Sequence, residues 1–140
     1  MLPIISTTTI NGYESIDPRT ELDSHANMVV LGKGCFVFDS VQGRHCDVQP
    51  FDPSISCAKK VPIVDGAIAY DFPVSHKTYL LIVRNALHIP TMDNNLIPPF
   101  IMREAGINVN DTPKIHVQDP LCEDHSIYSK ESGLCIPLKL

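Results

Sequence analysis

Tryptophan is absent and aromatic residues make up only 6% of the 140-residue chain, so a core has to be assembled from Ile, Val and Leu. Glycine is scarce too, seven against twelve prolines, which favours short extended segments and turns and excludes long helices. No apolar run approaches the roughly 18 residues of a membrane span, so no membrane partner is expected. The first residues, Met1-Leu2-Pro3-Ile4-Ile5-Ser6-Thr7, lack a basic stretch leading into an apolar one, so no secretory leader is expected. Basic residues never run beyond the pair Lys59–Lys60, and 11 of them face 16 acidic ones for a formal charge of −5. A phosphate-backbone binder needs a concentrated basic face, so nucleic acid is not expected as a direct partner.

Cys-x-x-Cys pairs are missing as well. The five cysteines are Cys35, Cys46, Cys57, Cys122 and Cys135, the first three spaced eleven residues apart. That is no zinc-finger or zinc-ribbon spacing, and the set reads as reduced, half-buried thiols of an intracellular protein. His45 beside Cys46 is the nearest approach to a Cys/His site. His76, His88, His116 and His125 are scattered without His-x-x-x-His spacing, so no metal site built from them is expected. Asn110-Asp111-Thr112 has the form of a glycosylation site, but Pro113 follows and the match reads as accidental.

What is present is a globular balance: 44% hydrophobic and 19% charged residues in 15.5 kDa, enough for one domain over 1–140. Its texture is short β-branched runs between turn residues. Ile4–Ile10 reads as a strand ended by Asn11-Gly12. Apolar runs at 28–31 and 35–38 flank Gly32-Lys33-Gly34, and Pro50–Ser54 reads as a loop tip. Runs at 61–70 and 78–83, joined by 71–77, predict an antiparallel hairpin. One helix is expected over 99–105, with proline in its first turn, Gly106 after its end, and Phe100, Ile101 and Glu104 at helical spacing. A strand at 107–109 and a closing hairpin, 126–128 with 134–136, complete a mostly β chain.

Chemistry concentrates in Glu21-Leu22-Asp23-Ser24-His25-Ala26, where an acid follows an apolar residue and precedes a hydroxyl and then a small residue. Asp39-Ser40 is a second such pair but lacks the small residue two positions on, and Asp39 reads as a solvated strand end. Asp65-Gly66 reads as a turn or bulge rather than a second catalytic acid. Far downstream comes Ala86-Leu87-His88-Ile89-Pro90-Thr91-Met92-Asp93-Asn94-Asn95-Leu96-Ile97, then Arg103-Glu104-Ala105-Gly106-Ile107.

This ordered set resembles the retropepsin-like aspartic proteases, in particular the copia-type protease of retrotransposon polyproteins. The resemblance covers about residues 4–110, and the 115–140 extension looks like the tail of copia-type domains. It implies an acid-protease fold, an all-β closed barrel with one short helix. It also implies an aspartic endopeptidase acting on an extended peptide or polyprotein, located in the cytoplasm or within a virus-like particle. Asp23 matches the catalytic aspartate and Ser24 the hydroxyl that braces the two loops across a dimer axis. Ala26 matches the small residue that lets the loop pack, Leu96 and Ile97 the apolar support beneath it, and a closing flap falls around Pro50–Ser56. Such enzymes activate water between two carboxylates sharing one proton, because like charges about 3 Å apart do not both ionise. One candidate loop in a chain this short calls for a homodimer, with Asp23 supplied by each copy.

Two departures stand out: His25 replaces the family's glycine, and Pro98 follows Leu96-Ile97 where many relatives have glycine or serine. Glycine is usually chosen for unusual dihedrals or close approach. The imidazole either tunes the pair of carboxylates or marks a catalytically inactive dimerisation or peptide-binding module of the same fold. A metal-dependent hydrolase using Asp23 and His25 is a more distant alternative.

Overall fold

In the computed structural model, which describes residues 4–10, 19–40, 43–50, 54–73 and 75–139, short β-branched runs become strands and one proline-led segment becomes a helix. The strands are β1 Ile4–Ile10, β2 Thr20–Leu22, β3 Val30–Leu31, β4 Phe36–Asp39, β5 His45–Val48, β6 Ala58–Asp71, β7 Thr78–His88 and β8 Asn95–Ile97. After the helix α1, Pro99–Glu104, come β9 Asn108–Asn110, β10 Ser126–Ser129 and β11 Leu134–Pro137. The expected strand at Ile4–Ile10, both hairpins and the helix are all present; the Asn11-Gly12 turn lies outside the described residues. Strands β2, β5 and β8 are additional to the sequence reading.

Long β6 and β7 form the spine. They pair antiparallel from Ile63↔Leu87 to Asp71↔Thr78, with 72–77 as the connection. On its outer edge β6 takes β5 along its first half and β4 along its second. The outer edge of β7 is shared likewise by antiparallel β1 and parallel β3. Together these strands run β2-β8-β3-β7-β6-β4, while β9, β10 and β11 make a separate three-stranded sheet.

A bulge bends the spine. Val64 pairs with Ala86 and Gly66 with Val83, so Arg84 and Asn85 together oppose Asp65. The extra residue reverses the phase of β7. Before it Leu81 and Val83 face the main core; after it Ala86 does, and Leu87 turns to a smaller cluster with Val30, Val61 and Ile63. Asp65, 7% exposed, fills the bulge by accepting from the Asn85 backbone N–H at 2.9 Å and from Arg84 Nη1 at 3.1 Å. The sequence reading of Asp65-Gly66 as a bulge is therefore correct, and Asp39 is an exposed strand end as expected.

The closed barrel is not formed. Among the described residues the edge strands β2 and β4 do not pair, because β2 is held only by β8 and β4 lies exposed along its whole length outside β6. Helix α1 buries Pro99, Ile101 and Met102 and leaves Phe100 and Glu104 exposed, and the Ile107 N–H bonds the Met102 carbonyl at its end. Gly106, at φ +82°, closes it as expected. Pro98 is buried and extended, so it starts the helix and carries no part of the turn at Asp23. No helix among the described residues is long and apolar enough to cross a membrane.

Replacing Asp65 by Ala leaves the Asn85 N–H and the Arg84 guanidinium without their acceptor inside the bulge. We expect a loss of about 2 kcal/mol in urea unfolding, with wild-type slope.

Candidate active site

Strand β8 is the element on which the site is built. Parallel β2 lies on one side of it, Leu22 opposite Ile97, and antiparallel β3 on the other, Val30 opposite Leu96. Since β2 and β3 are consecutive in the chain, residues 23–29 must pass over the C-terminal end of β8. Asp23 opens that passage. Its N–H bonds the Ile97 carbonyl at 3.0 Å, which carries the β2–β8 ladder one step past Leu22. Its Oδ1 accepts the His25 N–H at 2.9 Å, a turn in which the carboxylate is oriented by backbone two residues on.

The residues after Asp23 divide by exposure. Ser24 and His25 are exposed, Asp23 and Ala26 half-buried, and Val29 fully buried in the main core. Backbone at His25 does not adopt the left-handed conformation that would require glycine, since its φ is not positive. The expectation that glycine's dihedral freedom is needed there is thus corrected. What the turn takes from residue 25 is its N–H, which any residue but proline supplies.

Asn95 holds this crossing together. It is 1% exposed, and its Oδ1 accepts the Gly32 N–H at 2.8 Å while its Nδ2 donates to Thr20 Oγ1 at 3.3 Å. One carboxamide therefore joins the start of β2 to the exit of β3. Gly32 is glycine for reasons of space: a Cβ there would lie 2.6 Å from the carbonyl oxygens of Met92 and Asn94. Neither role was drawn from the sequence, although Asn95 stands in the quoted Asn-Leu-Ile segment and Gly32 in Gly-Lys-Gly. Beside it Glu21 accepts from Asn94 Nδ2 at 3.0 Å and pairs with Arg19 at 3.3 Å.

Strand alternation sets what Asp23 faces. Leu22 and Ile97 pack into the main core, whereas Leu96 packs with the smaller cluster, so Asp23 follows onto the face of Leu96. That cluster is apolar, with Met28, Val48, Ile89 and Met92 at its margin. The β5–β6 hairpin contributes Val61 and Ile63 to it and bears the connection 49–57, where the closing flap was expected. Ser54, Ile55 and Ser56 there are exposed, and Phe51, Asp52 and Pro53 lie outside the described residues. Among the described residues no group of three His, Cys, Asp or Glu side chains is placed to hold a metal ion.

Neither a protein-family model, nor a curated protein, nor a solved structure matches this chain. The site therefore has to be read from its own geometry.

Truncating Asn95 to Ala orphans the buried Gly32 N–H and frees the start of β2. A destabilisation of about 2–3 kcal/mol is expected in chemical denaturation. In hydrogen exchange, protection should fall first at β2, β3 and the Asp23 turn.

Proposed function

We propose that the chain is an aspartic endopeptidase domain of the retropepsin type, active as a homodimer, that cleaves a retroelement polyprotein. The observation that carries this reading is the position of Asp23: a half-buried carboxylate at the end of β8, oriented by the His25 N–H. By strand alternation one residue past Leu22, it falls on the sheet face that also carries the smaller apolar cluster.

In the dimer the two Asp23 carboxylates share a proton across the two-fold axis. One takes a proton from water while the other donates to the scissile carbonyl. An extended substrate lies along the apolar cluster and adds its backbone to the β5–β6 hairpin, in the manner of strand addition. The reaction needs no cofactor. Ser24 braces the paired loops, and Ala26, lacking bulk, lets them approach. His25 acts through its backbone N–H, and the residue is exposed. The alternative, an inactive dimerisation or peptide-binding module, shares this geometry and differs only in lacking turnover.

A peptide library incubated with the folded protein at pH 4–7 tests the reading, with sedimentation reporting the assembly. The expected result is a dimer that cleaves, and an Asp23→Asn variant that still dimerises but is slower by at least about 10³-fold. A folded dimer that cleaves nothing overturns the enzyme reading in favour of the binding module, and a strict monomer overturns both.

Residue 25 gives a separate prediction. Because its backbone N–H does the orienting, His25→Gly should keep cleavage within about tenfold of wild type. His25→Pro, which removes the donor, should abolish cleavage while the melting transition persists.

A further inference from the structure

The C-terminal cysteines stand apart from the other three. Cys35 donates its S–H to the Gly32 carbonyl at 3.1 Å, and burial pushes its thiol up. Cys46 packs against the smaller apolar cluster, and Cys57 lies against the Ala58 carbonyl at 3.6 Å. Cys135, on β11 opposite Tyr128, instead points its sulfur at the carbonyl oxygen of Cys122, 3.5 Å away. A carbonyl oxygen and a thiol sulfur each lie within about 3 Å of their own Cα, so the two Cα atoms are at most about 9 Å apart, and a shift of no more than a few ångströms in the exposed turn brings them within bridging distance.

The turn carrying Cys122 is held in that position. Asp124 closes it, with Oδ2 accepting the Leu121 N–H at 2.8 Å and Oδ1 accepting from Asn110 Nδ2 at 2.9 Å. Ser126 Oγ donates to the Glu123 carbonyl, and the Leu138 N–H bonds the His125 carbonyl at 2.9 Å, which brings the end of β11 back along the turn. Cys122 is exposed and Cys135 half-buried, so a small oxidant reaches the first before the second.

We propose that Cys122 and Cys135 form a reversible disulfide, a modification site separate from the Asp23 turn and independent of what that turn does. The oxidant is a small-molecule disulfide such as oxidised glutathione. The Cys122 thiolate attacks one of its sulfurs, releasing one glutathione thiolate and leaving a mixed disulfide. The Cys135 thiolate then attacks the Cys122 sulfur and releases the second glutathione. Two protein thiols are oxidised, two electrons reduce one glutathione disulfide to two thiols, and no further reagent is needed. The bond ties the turn to β11, and with it Leu121, Glu123 and Asp124, which line an open groove of about 640 Å³ together with Arg103, Asn108 and Tyr128.

The test treats the folded full chain with oxidised glutathione, traps remaining thiols by alkylation, and reads intact mass, peptide map and thermal midpoint. We expect a species lighter by two hydrogens, a linked peptide joining Cys122 to Cys135, and a midpoint raised by about 5 °C that dithiothreitol reverses. In Cys135→Ser the first step stands alone, so a glutathione adduct should accumulate on Cys122 with no gain in midpoint. A persistent adduct on wild-type Cys122 without the internal link, a link between any other pair of cysteines, or a midpoint that falls on oxidation overturns the proposal.

Discussion

A single buried carboxamide, that of Asn95, ties together the part of the molecule on which everything else is arranged. The elements it joins are weak by themselves: β2 has three residues, β3 two and β8 three, and their pairings are non-local. Strands so short do not persist without tertiary support. Asn95 supplies that support from the middle of the crossing, bonding the exit of β3 through Gly32 and the start of β2 through Thr20. Burial makes the arrangement cooperative. A carboxamide removed from water must keep its partners, so β2 and β3 are held in one register relative to β8 or the group is left unsatisfied. Gly32 completes the constraint, since only a residue without a side chain lets its N–H approach past the Met92 and Asn94 carbonyls. The position of Asp23 follows from this: it is where the chain leaves β2 to cross β8.

A second constraint shapes the face that Asp23 looks onto. Without the Arg84–Asn85 bulge, strict alternation along β7 would leave Leu81, Val83 and Leu87 on one side of the sheet. The inserted residue sends Leu87 to the opposite side, beside Val30 and Ile63, and so creates the smaller apolar cluster. Asp65 stabilises the irregularity by giving the Asn85 N–H a charged acceptor and by holding Arg84, whose guanidinium lies 5.8 Å from the Phe38 ring centroid. The two sheet faces thus acquire different uses: one is the main core with α1, and the other is the cluster beside the Asp23 turn.

How much of this was legible follows from which interactions are local. Ile4–Ile10 and the 126–136 hairpin announce themselves through β-branched runs and turn residues, and α1 through Pro99 and Gly106. The 78–83 run was legible up to Val83 and no further, although β7 continues to His88. The reading stops there because the bulge residues, Arg84 and Asn85, are polar and end the apolar run on which it rests. Strands β2 and β8 are invisible for a related reason: three residues carry no measurable period, and their pairing spans most of the chain. Asp23 itself was legible as a motif, but its orientation was not. The concern over His25 joined unusual dihedrals to close approach, and the first of these does not arise: the turn takes an N–H from residue 25 at a φ that is not positive. Closure of a barrel also depends on what the edges meet, and β4, exposed along its length, meets no other edge among the described residues.

The exposure of the Asp23 turn has a consequence for the proposed chemistry. A carboxylate that one chain leaves half in water has neither a second carboxylate to share a proton with nor a dry cleft around it. Both become available only when a second copy covers the turn and brings a like charge within a few ångströms. Ser24 and His25, exposed in one copy, then become interface residues. On this reading the catalytic group is assembled by mass action, and the active fraction is set by chain concentration against the dimer dissociation constant. The proposed role within a polyprotein fits that dependence, since such a domain would be silent while dilute and act when packing brings copies together. Under the proposed dimer the fold's task within each copy is narrower, namely to hold one turn in a fixed place, and the Asn95 hydrogen bonds around β8 serve that task.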